Sequence, residues 1–143
     1  MTGYAFGSRE WLAFLHGIFR ERAAQMKAAG GDVSFSMCEV FTDPPAEIAN
    51  DADRLVWSCV ITDGEVDFRT SERDDVNIKI IADYQACLPI CRFDTQGDPA
   101  RAAEMGAMMK KLREAGQIEV ITQGSNGAGT MPSVHDATAR VTA

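Results

Sequence analysis

Asp63-Gly64 stands between two runs rich in β-branched and aromatic residues, Leu55 to Thr62 and Glu65 to Thr70. An Asp-Gly pair supplies the positive φ angles that a two-residue hairpin turn requires, so the flanking runs are predicted to be adjacent antiparallel strands. No other local signal in the chain commits the backbone so firmly.

The remaining elements follow from periodicity and caps. Ser8 is placed to cap a helix whose apolar residues Trp11, Leu12, Leu15, Ile18, Phe19, Ala23 and Met26 recur at three and four, ending at Gly30-Gly31. From Asp32 to Thr42, Val33, Phe35 and Met37 alternate with Ser34, Ser36 and Cys38, the period of a half-buried strand. Pro44-Pro45 and the acidic piece to Asp53 predict a loop, because proline lacks the donor a sheet ladder needs. Asp75 to Ile81 alternates again and predicts a fourth strand, antiparallel to its predecessor through the short SERD connection. Asp83 is set to cap a helix that Pro89 confines; Asp98 and Pro99 open another that Gly116 closes; Gln117 to Gln123 gives a fifth strand. A loop of GSNGAGTMP and a short helix or tail from Ser133 complete a single domain over 1–143. The expected class is α+β: a five-stranded, mostly antiparallel sheet with helices on one face.

The segment DVNIKIIADYQACLPICRFDTQGDPARAAEMGAMMKKLREAGQIEVITQG, Asp75 to Gly124, resembles the C-terminal half of sterol-carrier-protein-2-like domains. Those domains place a strand ending in an Asp-Tyr-like turn before two helices and return through a strand that starts at a glycine. The resemblance runs from the first helix to the fifth strand and implies that fold around a pocket for an apolar molecule. It departs from the family in a longer connection between the central helices, in GQIEV at the start of the returning strand, and in the ending VHDATARVTA. The part that would close a ligand tunnel is therefore the least transferable.

Charge narrows the partners. Only 14 basic residues face 21 acidic ones, a net charge of −7, and no basic run exceeds Lys110-Lys111, which disfavours nucleic acid and anionic membrane surfaces. The start MTGYAFGSREW lacks a basic segment followed by an apolar one, and no stretch of 18 apolar residues occurs, so a cytoplasmic protein without stable membrane insertion is expected. Cys38, Cys59, Cys87 and Cys91 fall within apolar patterns, where reduced cysteine behaves as a small hydrophobe. No second Cys or His pair accompanies Cys87 and Cys91 to complete a zinc site, and neither metal nor cofactor is expected.

Met105, Met108, Met109 and Leu112 lie at i, i+3, i+4 and i+7, one stripe opposite Arg101, Glu104, Lys111 and Glu114. Such a stripe packs on the sheet, or its adaptable thioethers line a pocket for an apolar ligand. Trp11, Leu15, Phe35, Trp57, Tyr84 and Leu88 share this double reading, with Trp and Tyr adding a polar handle that can orient a ligand.

Two residues are candidate acids or bases. His135 adjoins Asp136, but neighbours on a helix point about 100° apart, and Ser133 with Asp136 also spells a capping box. Glu39 lies in an apolar strand: inward, it is a buried carboxyl with a raised pKa; outward, the orientation toward which the alternation leans, it is a surface charge. His16 reads as a structural boundary residue of the first helix, and GSNGAG as a hinge, since it lacks the setting of a phosphate loop. The expected function is binding or carriage of a small apolar ligand such as a lipid, fatty acyl or sterol-like molecule. The alternative is a small isomerase- or hydratase-type enzyme that uses Glu39 or His135 in the same cavity.

Overall fold

The computed structural model describes residues 3–30, 34–124 and 134–143. The elements are α1 (Arg9–Ala28), β1 (Phe35–Thr42), β2 (Leu55–Thr62), β3 (Glu65–Arg69), β4 (Ile78–Asp83), α2 (Tyr84–Cys91), α3 (Pro99–Glu114), β5 (Ile118–Thr122) and α4 (Val134–Ala139). Caps act where the sequence places them. Ser8 Oγ accepts from Trp11 N, Asp83 from Ala86 N and Asp98 from Ala100 N, each satisfying an otherwise unpaired helical N–H. Asp63 and Gly64 both have positive φ, 51° and 79°, and the β2–β3 hairpin forms around them.

The sheet runs in the order β3-β2-β1-β4-β5. All neighbours are antiparallel except β1 and β4, which pair parallel from Met37↔Ile78 to Thr42↔Asp83. The sheet is therefore mixed, and the expected antiparallel pairing of the fourth strand with its predecessor is corrected. β3 occupies one edge, and the chain crosses behind β2 and β1 before β4 begins. Residues 70–77 make that crossing, and a piece of this length easily spans three strand spacings of about 4.8 Å each. They also cover the back of the sheet. Val76 closes a small cluster with Cys38, Val40 and Val56, while Ser58 Oγ donates to Ser71 O. On the same side Lys79 is held by Glu72 and Asp74.

The front face carries the main core. Strand parity sends Phe35, Met37, Glu39 and Phe41 of β1 to this side, opposite Ile61, Cys59, Trp57 and Leu55 of β2. Trp11, Leu12, Leu15, Phe19 and Ala23 of α1 are buried against it. Gly7, with φ 80°, lets the segment before α1 approach β2: a Cβ there would sit 2.2 Å from Leu55 Cδ2. Phe6 is edge-on to both Trp11 and Phe41, with ring centroids 4.8 and 4.9 Å apart. His16 stacks on Phe68 at 4.8 Å as a boundary residue, and burial lowers its pKa. Among the described residues no helix is long and apolar enough to cross a membrane.

Candidate functional site

Between the front of the sheet and the helices lies a cavity of about 340 Å³. Phe35, Met37, Glu39, Phe41, Trp57, Ile78, Ile80 and Ile118 form its floor on the sheet. Trp11, Leu15 and Phe19 from α1, Cys87, Ile90 and Cys91 from α2, and Met105 and Met109 from α3 form the walls, with Phe6 beside them. Val134, His135 and Thr138 from α4 close it, so the ending that departs most from the family pattern supplies part of the enclosure.

Of the residues singled out from the sequence, Trp11, Leu15, Phe35, Trp57, Met105 and Met109 line this space. Tyr84, Leu88, Met108 and Leu112 do not. Tyr84 stands behind Phe6, stacked on its ring at 5.1 Å and donating its hydroxyl to Phe6 O at 2.6 Å. Leu88 and Leu112 pack on the core instead. The stripe on α3 divides into two i, i+4 rows. Met105 and Met109 reach the cavity, whereas Met108 and Leu112 lie to the side, and no residue of α3 is fully buried. Met37, Phe41, Ile78 and Ile80 were not singled out, although their parity with Phe35 and across the β1–β4 register was the available signal.

Glu39 points inward, contrary to the outward lean of the sequence reading, because it shares a face with Phe35 and Phe41. Its cross-strand partner is Trp57. Burial pushes the Glu39 carboxyl up to about 7, and the Trp57 indole N–H offsets part of that rise. Yet Trp57 Nε1 is buried without a partner of hydrogen-bond geometry among the described residues, so the N–H feels the carboxylate without being bonded to it. The other polar handles are spent: Trp11 Nε1 donates to Thr142 Oγ1 at 3.0 Å, and Tyr84 donates to Phe6 O.

His135 and Asp136 do not form a dyad. Asp136 is buried and accepts from Thr95 N at 2.8 Å and Thr95 Oγ1 at 2.5 Å, tying α4 to the loop before α3. Ser133, its expected capping partner, lies outside the described residues, as does nearly all of GSNGAG. His135 Nε2 is 2.9 Å from Phe93 O, and because a carbonyl can only accept, Nε2 carries the proton. Burial raises the cavity thiols, Cys87 to about 12 and Cys91 well above its ordinary value, so both are inert apolar lining. Among the described residues no group of three or more His, Cys, Asp or Glu could hold a metal ion.

The arrangement is similar to that of a conserved hypothetical protein from Thermus thermophilus, described as possibly a sterol carrier protein. Its solution structure matches with a TM-score of 0.50 and 13% identity over 99% of this chain and 95% of that one. The fold is sterol-carrier-protein-2-like. A ubiquinone synthesis protein described as UbiJ-SCP2 is also similar, at 18% identity over 87% of this chain and 84% of that one, with a TM-score of 0.43. No family model and no curated protein matches the sequence.

Proposed function

We propose that this chain binds or carries one small apolar molecule in the cavity between sheet and helices. The observation that carries the reading is the cavity itself: about 340 Å³, walled by aromatic, aliphatic and methionine side chains in the middle of the core. Small-molecule sites occupy roughly 300–1,000 Å³ and are mostly apolar with a few placed polar groups, a description this space meets. The likeness to a protein described as possibly a sterol carrier supports the same reading, with lipid, fatty acyl and sterol-like molecules as the candidate class. The chain acts as one unit over 1–143, in a reducing, cytoplasmic setting suited to its four free thiols, and its charge of −7 turns it away from nucleic acid.

Native mass spectrometry of gently purified protein, followed by titration with a fluorescent lipid, tests the reading. Uptake of one molecule per chain is expected; protein that neither retains nor takes up any apolar compound contradicts it.

One observation favours acid–base catalysis as a second reading: Glu39, titrating near neutrality, shares the cavity with His135. The bond from His135 Nε2 to Phe93 O leaves only Nδ1 for such work. Turnover of a bound apolar compound that Glu39→Gln abolishes would select this reading over carriage.

A further inference from the structure

The cavity floor holds a buried indole N–H that no described residue satisfies, with a carboxyl beside it. Trp57 is 3% exposed, and its Nε1 has no partner of hydrogen-bond geometry among the described residues. Directly across the β1–β2 ladder is Glu39, which lines the same cavity and whose carboxyl feels that same indole N–H. A donor and an acceptor stand side by side in an apolar space, close enough to influence each other but not joined. A buried N–H left unpaired is costly, and so is a carboxylate without donors.

We propose that Glu39 and Trp57 form a hydroxyl-recognition site, so that the ligand of this cavity is an apolar alcohol or phenol with its hydroxyl on the sheet floor. The inference rests on the cavity-binding reading above and adds the chemistry of the ligand's polar end. A hydroxyl oxygen accepts from Trp57 Nε1–H, and its proton is donated to the Glu39 carboxylate; one group completes both. Other ends complete less. Where Glu39 is ionised, above its value of about 7, an ether accepts from Trp57 but offers Glu39 nothing, and an alkane leaves both unpaired. A carboxylate sets a second negative charge beside Glu39. An ammonium can donate to Glu39 but turns a cation toward the Trp57 N–H. A hydroxyl also keeps its bond to Glu39 when the carboxyl is protonated, by accepting where it otherwise donates.

The test is displacement of the uncharged fluorophore phenylnaphthylamine by octanol, methyl octyl ether, octylamine, octanoate and nonane, from the wild-type chain and from Glu39→Met and Trp57→Phe. In the wild type at about pH 9, where Glu39 is ionised, octanol is expected to bind about tenfold more tightly than the ether, the margin of one hydrogen bond to a charged group. Glu39→Met is expected to abolish that preference. Trp57→Phe weakens octanol and the ether by a similar factor while leaving nonane unchanged, since both oxygens lose the same donor. Circular dichroism verifies each variant's fold, and the wild-type series decides the matter alone if a variant does not fold. Equal binding of octanol, ether and nonane overturns the hydroxyl site while leaving the apolar cavity standing. So does a preference that survives Glu39→Met, or octylamine binding more tightly than octanol. Failure of every compound and of the fluorophore to bind overturns the cavity reading and this inference together.

Discussion

Glu39 on β1 and Trp57 on β2 are direct cross-strand partners, and together they set a carboxyl and an indole N–H without a partner among the described residues into the floor of a mostly apolar cavity. Packing alone would place a Val or Leu at residue 39. The pair is the point at which this core departs from what stability favours, and such departures concentrate where a protein works.

Glu39 makes stability depend on pH in a defined direction. Its carboxyl titrates at about 7 when folded against 4.5 for an ordinary glutamate. Between those values the folded chain keeps the proton and the unfolded chain releases it, so the contribution is fully present below pH 4.5 and is lost as pH rises through 7. The loss is on the order of 3 kcal/mol. Asp67, Glu72 and Asp94, whose pKa values are lowered chiefly by hydrogen bonds from Arg69, Lys79 and the Gln96 backbone, slope the other way at lower pH. Comparing urea unfolding of the wild type and Glu39→Gln cancels those shared terms. The variant is expected to gain relative stability steadily across the window, whereas a difference that stays constant with pH contradicts a buried, inward Glu39.

Asp136 holds α4 in place through its two bonds to Thr95. Truncation in Asp136→Ala leaves the Thr95 amide N–H unpaired in a buried site, at a cost of about 1–3 kcal/mol. Asp136→Asn keeps an acceptor and is expected to cost less. Because α4 closes the cavity, the alanine variant should also bind apolar probes less tightly. Urea unfolding checks the first effect; a change within about 0.5 kcal/mol, typical of an unconstrained surface site, contradicts it.

Helix α3 is the wall most free to move. It buries no residue fully, whereas α1 buries Trp11, Leu12, Leu15, Phe19 and Ala23, and elements with few buried contacts open at lower free energy. In hydrogen–deuterium exchange the amides from Ala100 to Glu114 are expected to exchange well ahead of those of Arg9–Ala28 and to slow when an apolar compound fills the cavity. Equal protection of the two helices would remove α3 as the route of entry.

The parts of this fold legible in the sequence are those decided within a few residues. Asp63-Gly64 needs only its own φ angles, and Ser8, Asp83, Asp98 and Pro99 need only the first turn that follows them. The partner of β4 was not legible, because a short connection after β3 reads as another hairpin, and only burial of Val76 behind the sheet and the pairing with β1 draw the chain across. For Glu39 the sequence leaves both orientations open with a slight lean outward, although its parity with Phe35 and Met37 points inward. The α3 stripe was read as one surface, while the position of α3 against α2 and β5 selects Met105 and Met109 over Met108 and Leu112. The resemblance carried the overall architecture, and the residues that line the cavity come from register and packing.

The central claim, that an apolar molecule occupies the space between sheet and helices, is tested most directly by carbon-13 labelling of the methionine methyls and observation by NMR during addition of an apolar probe. Met37, Met105 and Met109 line the cavity and Met108 does not. The account predicts saturable shifts of the three lining methyls at one probe per chain, with Met108 little changed. Lining methyls that stay fixed while the probe is taken up, or no uptake at all, would contradict it.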